Sequence, residues 1–394
     1  MTILFILLFA SFSAALDPEI NMDTIEIIER WGYSAERVLV TTDDGYILEL
    51  HHILSGKTPS SSDPRPVVFF QHGLISASDV WVDNSPNQSA GFIFADVGFD
   101  VWLGNSRGNT YGRKHVKLDP EESKFWEFSW DEMSKYDLPN SIDAILNRTK
   151  QSFLYHVGHS QGTTIVFARN SEDPTLNAKI RKHFALAPVA TFQHIQGLFG
   201  LLSHLLPLFQ FQQDLVGSRE FLPSGPLMRI VGSLCSLPLG DAICSGIFFL
   251  MSGPDTKQLN KTRSPVYISH TPAGTSTQNI IHWFQMAKSG RTPKLDYRSR
   301  EENLKHYGQE TPPLYNLKNV NIDTYLFWGE EDWLATEENV KGGILPFLDE
   351  KILKQNNLLK NYNHMDFIWG TRAPRDIYRP IVKIIQDDWN AFRG

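Results

Sequence analysis

The chain has few cysteines, no excess of basic residues and no apolar run long enough to cross a bilayer. Two cysteines in 394 residues allow one intrachain disulfide at most. The formal net charge of −7 argues against nucleic-acid binding, which needs basic patches, and against charge-driven attachment to anionic membranes. Internal repeats and long low-complexity tracts are also absent from the sequence. The 41% of hydrophobic residues is typical of a globular protein with a sizeable core.

The first residues of the chain are typical of a secretory signal peptide. An apolar stretch at residues 3–10, ILFILLFA, is followed by small residues, and cleavage is expected after Ala15. The stretch is far below the roughly 20 residues that span a bilayer, so no transmembrane anchor is expected. The alternative is a buried first strand or helix, since no Lys or Arg precedes the stretch. We predict a signal peptide over residues 1–15 and a secreted or lysosomal protein.

Two further features agree with the secretory pathway. Sequons of the N-x-S/T type begin at Asn87, Asn147 and Asn260, which are candidate N-glycosylation sites. The two cysteines, Cys235 and Cys244, are close enough in sequence to close a local loop. In an oxidising compartment they predict one disulfide, and two buried free thiols are the alternative.

Short apolar runs alternate with helical spacing in the first half of the chain and again near its end. A hairpin is predicted over residues 37–53, around a Thr-Asp-Asp-Gly turn. Predicted buried strands lie at residues 67–71, 99–103, 153–157, 183–187 and 322–328. Helical segments are predicted at residues 130–146, from Thr163 onward and at residues 377–385. Strands that alternate with helices at this spacing predict an α/β fold with a mostly parallel sheet.

The alternation stops after Pro188. Residues 191–310 are rich in Leu and Phe, with runs such as IQGLFGLLSHLLPLF at residues 195–209. Gln, His, Gly and Pro interrupt these runs, which argues against transmembrane spans. We predict an inserted helical cap and lid at residues 191–310, between two parts of the core at residues 16–190 and 311–394. A helical part of the core itself is the alternative.

The pentapeptide GHSQG at residues 158–162 follows a predicted strand and precedes a predicted helix. The pattern G-x-S-x-G also occurs by chance, and an ordinary tight turn is the alternative. The strand before it and the helix after it are the context of a nucleophile elbow, in which the serine hydroxyl stands at the carboxyl end of a strand. The two glycines leave room where backbone segments crowd. Ser160 is therefore the candidate nucleophile.

A serine nucleophile needs a base, and the base needs an acid that orients it. In the α/β-hydrolase fold the chain order is serine, then Asp or Glu, then His. Three carboxylates follow the predicted strand at residues 322–328. Asp332 is the candidate acid, and Glu330 and Glu331 are rivals by position alone. His364 lies on a late loop before a helix and is the candidate base.

The tetrahedral intermediate of acyl transfer carries an oxyanion, which backbone N–H groups stabilise. The residue after the nucleophile, Gln161, supplies one donor, and Leu74, in the loop after an early strand, is the candidate for the other. His72 and His159 also flank the site. Both precede the acid in the sequence, so we interpret them as packing or hydrogen-bonding residues. This chemistry needs no metal ion and no organic cofactor.

Several longer motifs at and around these residues resemble the acid lipase family of gastric, lingual and lysosomal acid lipases and related invertebrate enzymes. The motifs are WGYSAERVLVTTDDGYIL, FFQHGLISASDVWVDN, VWLGNSRGNTYGRKH, FWEFSWDEMSKYDLP, GHSQG, SHTPAGTSTQN and YNHMDFIWG. The resemblance covers nearly the whole mature chain, and an invertebrate member is expected. It implies an α/β-hydrolase with a helical cap and lid that acts on triacylglycerols or cholesteryl esters and tolerates acidic pH.

The resemblance also implies roles for particular residues. These are the triad Ser160, Asp332 and His364 and the oxyanion-hole donors Leu74 and Gln161. It thereby prefers Asp332 to the neighbouring glutamates, and the spacing of Cys235 and Cys244 matches the disulfide of the family. We predict a monomeric serine lipase that meets neutral lipid at a lipid–water interface. Two alternatives stay open: a catalytically silent lipid-binding protein on a hydrolase fold, and an esterase for small soluble esters.

Overall fold

A central β-sheet organises the fold, which this computed structural model describes for residues 16–58, 64–236 and 240–394. The predicted signal peptide, residues 1–15, lies outside the described residues. The strands are β1 (Ala35–Thr41), β2 (Tyr46–Ile53), β3 (Val67–Gln71), β4 (Asp100–Leu103), β5 (Lys114–His115), β6 (Leu154–His159), β7 (Ile180–Leu186), β8 (Glu220–Phe221), β9 (Thr275–Ser276), β10 (Thr324–Gly329) and β11 (Leu353–Leu359).

The order of the strands in the large sheet is β1-β2-β4-β3-β6-β7-β10-β11, with β5 paired to β2. Strands β1, β2 and β4 pair antiparallel, and every pair from β4 to β11 is parallel. Strands β8 and β9 form a separate antiparallel pair. The predicted hairpin and the mostly parallel α/β sheet are therefore confirmed. The predicted buried strands agree with β3, β4, β6, β7 and β10 to within three residues at each end.

Helices connect the parallel strands. The α-helices are α1 (Thr24–Arg30), α2 (Ala90–Asp96), α3 (Trp130–Glu132), α4 (Leu138–Thr149), α5 (Gln161–Glu172), α6 (Gly197–Ser203), α7 (Leu206–Val216), α8 (Pro226–Cys235), α9 (Gly240–Ser252), α10 (Ser264–His270), α11 (Thr277–Ser289), α12 (Arg300–Tyr307), α13 (Glu337–Gly343), α14 (Asp366–Trp369) and α15 (Arg379–Arg393). Short 3₁₀ helices lie at Pro18–Asn21, Ser78–Trp81, Ser123–Trp126, Pro174–Ala178, Lys261–Arg263, Leu317–Asn319 and Leu345–Phe347, and π-helical turns at Met133–Asp137 and Pro374–Tyr378. None of the helices in the described ranges has the length and apolar character of a bilayer crossing.

The parallel strands place their carboxyl ends at one edge of the sheet. Every residue of β3, β4, β6 and β10 is buried, which explains why apolar residues follow one another in these strands instead of alternating with polar ones. The segments after β3, β6, β10 and β11 carry the candidate site residues. In open α/β sheets, a site forms in the crevice at this edge, so residues far apart in the sequence meet there.

The chain between β7 and β10 contains two different kinds of helix. Helices α10 and α11 are buried over most of their length, as a helical part of the core would be. We call α6 to α9 the cap helices. These expose many large apolar side chains, namely Leu201, Leu205, Leu208, Phe211, Leu215, Val216, Leu227, Ile230, Leu234, Ile247 and Leu250. The division into domains at residues 190 and 310 stays a prediction.

Candidate active site

Ser160 occupies a sharp turn between β6 and α5. Its backbone has φ 52° and ψ −121°, a combination that residues other than glycine rarely adopt. Its N–H donates a hydrogen bond to the carbonyl oxygen of Leu186, at the end of β7, over 3.0 Å. Strain of this kind, typically about 1–3 kcal/mol, persists where the surrounding structure holds the residue in place. The backbone therefore has the geometry of a nucleophile elbow.

Gly158 and Gly162 make this turn possible. A Cβ atom on Gly158 would lie 2.7 Å from the carbonyl oxygen of Gly162. A Cβ atom on Gly162 would lie 2.4 Å from the carbonyl oxygen of Gln71 in β3. Side-chain carbons do not approach carbonyl oxygens so closely, so the crowding that the sequence predicted at these two positions is present, and only glycine fits.

Asp332 follows β10, and His364 lies on the loop before α14. The Nδ1 atom of His364 is 2.9 and 3.0 Å from the two carboxylate oxygens of Asp332, and both side chains are buried. One of these oxygens also accepts the backbone N–H groups of Leu334 and Ala335, each over 2.8 Å. The two N–H groups orient the carboxylate, and the carboxylate orients the imidazole.

The rival acids lie elsewhere. Glu330 is exposed and Glu331 is half-buried. Within the described residues, the carboxylate at hydrogen-bonding distance from His364 is that of Asp332. Position along the chain could not separate the three residues, but the fold does so, because the chain turns after β10 and directs the third carboxylate inward.

The bond to Asp332 places the proton of the neutral His364 ring on Nδ1, which leaves the lone pair on Nε2 to act as a base. Ser160 and His364 line the same cavity. Their side chains are not hydrogen-bonded to each other, a looser geometry that is common in free hydrolases and tightens when substrate binds. The structure thus brings together the three residues that the sequence predicted as a triad.

Leu74 and Gln161, the predicted oxyanion-hole residues, adjoin Ser160. Leu74 lies in the loop after β3 and lines the same cavity. A Cβ atom on the preceding residue, Gly73, would lie 3.0 Å from Cβ of Ser160, so this loop runs against the nucleophile. Gln161 is the first residue of α5, where backbone N–H groups have no acceptor within the helix. Both residues therefore lie next to Ser160, and their role as oxyanion donors stays a prediction.

The Gln161 side chain fixes the start of α5. It is buried, and its Oε1 accepts hydrogen bonds from the Asn279 amide over 2.9 Å and from the Trp283 indole over 2.7 Å, both on α11. On the other side, Ile75 follows Leu74 at φ 52°, a backbone conformation that β-branched residues rarely adopt. The Ile75 carbonyl accepts the N–H of Ala273 over 2.7 Å. No local pattern in the sequence marked either contact, because each joins segments that are far apart in the chain.

His72 and His159 have hydrogen-bonding roles beside the site. His72 donates from Nδ1 to the carbonyl of Gly73 over 2.7 Å and accepts the N–H of Ser106 at Nε2 over 3.0 Å. His159 donates from Nε2 to the carbonyl of His364 over 3.0 Å. Burial lowers the pKa of His72 to about 4, and burial together with the neighbouring His364 ring holds the pKa of His159 well below its usual value. Both rings therefore stay neutral in mild acid, in agreement with their interpretation as hydrogen-bonding residues.

The cavity above Ser160 has mostly apolar walls. Large side chains from different parts of the chain line it, including Phe192, Phe199, Met251, Trp283, Leu334 and Met365. The chain segments meet only in the fold, so the sequence did not identify them as a binding surface. A serine and a histidine at the wall of an apolar cavity, with the histidine bonded to a buried aspartate, are an arrangement that can carry out acyl transfer on a hydrophobic ester.

Comparisons with known proteins agree with this chemistry. Residues 66–371 match the family model of the alpha/beta hydrolase fold, and residues 24–85 match that of a partial alpha/beta-hydrolase lipase region. The chain is 51% identical to lipase lipl-1 of Caenorhabditis elegans, over 96% of this chain and 94% of that one. It is 44% identical to bovine gastric triacylglycerol lipase, over 95% and 94%. For human lysosomal acid lipase/cholesteryl ester hydrolase the identity is 43%, over 94% and 92%.

The chain belongs to the acid lipase family. Its membership makes it a carboxylic ester hydrolase and confirms the resemblance seen in the motifs. A crystal structure of a lipase candidate from Acinetobacter baumannii superposes with a TM-score of 0.53 at 14% identity, over 95% of this chain and 99% of that one. That likeness shows the α/β-hydrolase fold alone.

In this acid lipase, Cys235 and Cys244 form a disulfide that joins the end of α8 to α9, with their Cα atoms 6.0 Å apart. The predicted disulfide is confirmed, and the alternative of two free thiols is wrong. In the described part of the chain, no group of three or more His, Cys, Asp or Glu side chains is arranged to hold a metal ion.

The candidate glycosylation sites of this acid lipase differ in exposure. Asn87 and Asn147 are exposed, the latter in the last turn of α4. Asn260 is half-buried, and its amide nitrogen donates to the side-chain oxygens of Asn84 over 3.2 Å and of Gln88 over 3.0 Å. Glycosylation at these positions stays a prediction.

Proposed function

We propose that this chain is a serine lipase that hydrolyses neutral-lipid esters through an acyl-enzyme on Ser160. One observation carries the proposal: a serine on a strained turn and a histidine bonded to a buried aspartate line one apolar cavity. Burying polar groups of this kind beside apolar walls costs free energy, and such groups are typical of functional sites. The site therefore supports nucleophilic attack on a hydrophobic substrate.

Ser160 attacks the ester carbonyl carbon while Nε2 of His364 takes the hydroxyl proton. The imidazolium then gives this proton to the leaving alcohol as the carbon–oxygen bond of the ester breaks, which leaves the acyl-enzyme. Water, activated by the same nitrogen, attacks the acyl carbonyl, and the fatty acid leaves as Ser160 recovers its proton. Asp332 keeps the proton of the neutral ring on Nδ1 and stabilises the imidazolium that forms.

The backbone N–H groups of Leu74 and Gln161 are the proposed donors to the oxyanion. Because Gln161 begins α5, the positive end of the helix dipole also faces the negative charge that develops on the ester oxygen. The bonds that hold the Gln161 side chain to α11 keep this donor in place before substrate arrives. Donors fixed in advance stabilise the transition state without a further cost of reorganisation.

Triacylglycerols and cholesteryl esters are the proposed substrate class. The apolar walls of the cavity suit a long acyl chain, and the names of the bovine and human relatives specify triacylglycerol and cholesteryl ester. Activity in mild acid is also proposed, because the human relative is named an acid lipase and the hydrogen bonds of the neutral His72 and His159 rings beside the site persist there. His72, with a pKa of about 4, gains a positive charge beside the Leu74 loop only near or below that pH.

The proposed surface for lipid is the exposed apolar face of the cap helices. On α7, Leu208, Phe211 and Leu215 are spaced by three and four residues and are 60, 59 and 66% exposed. This spacing places them on one face of the helix. On α8, Leu227, Ile230 and Leu234 repeat the same spacing and are 70, 58 and 54% exposed. Exposed apolar surface of this extent is typical of a binding surface for apolar partners.

Replacing Leu208 with glutamine is expected to lower activity on a triolein emulsion by about tenfold, because about 1.5 kcal/mol of apolar contact with lipid is lost. Activity on a soluble ester is expected to stay within about twofold of wild type. Leu39→Gln is the matched control, since Leu39 is 59% exposed on β1 at the edge of the sheet. Initial rates on both substrates check this. Equal losses in the two variants on the emulsion would contradict a specific lipid surface.

Residues 191–310 are the proposed cap and lid, and residues 16–190 and 311–394 the proposed core. A lid that moves would let substrate reach Ser160. The names of the relatives, a gastric and a lysosomal lipase, support the secretory pathway, and we propose a secreted or lysosomal monomer. N-glycans are proposed at Asn87 and Asn147 because both sequons are exposed. Asn260 is half-buried, so a glycan there is proposed from its sequon alone.

The function is tested with purified wild-type protein on triolein, cholesteryl oleate and a short soluble ester, at about pH 4.5 and about pH 7.5. We expect hydrolysis of at least one of the two lipids, faster in acid. A fluorophosphonate probe, followed by peptide mass spectrometry, is expected to label Ser160. Activity on the soluble ester alone would overturn the lipase in favour of an esterase. No activity and no labelling would favour a silent lipid-binding protein.

A further inference from the structure

Residues 252–259 lead out of the cap helices and run beside the loop that carries His364. The carbonyl of Ser252 accepts the N–H of His364 over 3.1 Å, and the carbonyl of Pro254 accepts the Asn363 side chain over 3.0 Å. Farther along, Leu259 forms an antiparallel bridge with Gly370. The loop of the proposed base is therefore bonded along its length to chain that comes directly from the cap.

Ser252 ends α9, and its carbonyl has a second donor. The N–H of Trp333, the residue after Asp332, also donates to this oxygen, over 3.3 Å. One carbonyl thus holds the backbone next to the acid and the backbone of the base. The carbonyl of Trp333 in turn accepts the N–H of Gln196, just before α6, over 2.8 Å. The chain before α6 and the end of α9 are therefore both bonded to the backbone of Trp333, the residue after Asp332.

Glycines permit these close contacts. Gly253, at φ +127°, packs so closely that a Cβ atom on it would lie 2.1 Å from the carbonyl oxygen of Glu331 and 3.0 Å from Cβ of Asn363. At the other end of the cap, Gly197 has φ +62°, and a Cβ atom there would lie 2.7 Å from the ring of Trp333. No L side chain fits either position without moving the acid loop or the cap.

We infer that Ser252 and Gly253 are positioning residues, which set the relative placement of Asp332 and His364 and couple it to the position of the cap. The inference rests on the proposed function, because it assigns these residues to the same triad. The Asp332–His364 bond joins two loops that the Ser252 carbonyl holds side by side, so displacement of α9 moves both partners of that bond. The outer face of α9 exposes Ile247 and Leu250, so the helix that meets lipid also ends at the triad.

Gly253→Ala tests the inference, and Gly246→Ala in the same helix is its control. A Cβ atom on Gly246 would meet nothing within 4 Å. On a short soluble ester without an interface, we expect Gly253→Ala to lower kcat by about 100-fold, because a misplacement of about 1 Å has effects of this size, with KM within about twofold. Gly246→Ala is expected to keep wild-type kcat. Gly197→Ala is expected to lower kcat in the same way as Gly253→Ala, from the other end of the cap.

If Gly253 and Gly197 had only a structural role, their replacement would lower thermal stability without a selective loss of kcat. We therefore expect the strongly deshielded proton NMR resonance of the Nδ1–H of His364 to weaken or vanish in folded Gly253→Ala and to persist in Gly246→Ala. If Gly253→Ala does not fold, the same kinetic and NMR measurements on Gly197→Ala test the inference. A folded positioning variant with wild-type kcat and an intact resonance would overturn the inference, as would an equal loss in Gly246→Ala. Inactive wild-type protein would instead contradict the proposed function.

Discussion

Replacing Ser160 with alanine is expected to lower kcat on a soluble ester by about 10⁶-fold, the size of effect seen when a serine hydrolase loses its nucleophile. Alanine removes Oγ, so His364 has no hydroxyl proton to take and no acyl-enzyme forms. It keeps the Cβ atom and the backbone bond to Leu186, so the turn is retained. The residual rate comes from binding and from the oxyanion donors alone. Initial rates at saturating substrate measure the effect.

Ser76→Ala is the control for this variant. Ser76 lines the same cavity and is also buried, but it is not on the elbow. We expect its replacement to change kcat by less than about threefold. Thermal unfolding of both variants is expected to resemble that of wild type. A Ser160→Ala variant that is folded and still hydrolyses the ester at a wild-type rate would remove Ser160 from the mechanism.

Asp332→Asn is expected to lower kcat by about 10⁴-fold with little change in KM. The structure gives the reason. One oxygen of Asp332 accepts the N–H groups of Leu334 and Ala335, so the asparagine places its carbonyl oxygen there and directs its amide NH₂ to His364. Nδ1 then accepts a hydrogen bond instead of donating one, and the proton of the neutral ring is on Nε2. In that tautomer Nε2 cannot take the proton of Ser160.

Glu330→Gln and Glu331→Gln separate Asp332 from its rivals. Each neutralises one neighbouring carboxylate, and neither side chain is bonded to His364 within the described residues. We expect both to keep kcat within about twofold of wild type on the soluble ester. A loss of about 10⁴-fold in either glutamate variant, together with an active Asp332→Asn, would assign the acid to that glutamate instead.

Much of the fold followed from local pattern. The buried strands of a parallel sheet are covered on both faces, so their sequences are continuous apolar runs that stand out without a structure. The sequence did not predict strand β11, because this strand is not buried on both faces. It is an edge strand with exposed polar residues, LKQNNLL, and it resembles a loop in sequence. Its position depends on pairing with β10, which no local pattern records.

The cap region also shows what a local sequence pattern predicts and what depends on tertiary packing. The composition of residues 191–310 predicted apolar helices but left two structures open, a cap and a helical part of the core. The helices of this region differ in burial: α10 and α11 are buried, whereas α7 and α8 expose several leucines. Apolar periodicity shows that a helix has an apolar face, but it does not show whether protein covers that face.

The sequence by itself identified Ser160 as the candidate nucleophile, from a strand, two glycines and a helix, and His364 as the candidate base, from its place in the chain order. By position alone it left three carboxylates for the acid, and it gave no sign of the contacts between the cap and the triad. Only the tertiary structure directed Asp332 to His364 and brought Ser252 against both loops. Backbone geometry near the elbow is local, whereas these contacts join segments whose approach depends on the packing of the whole chain.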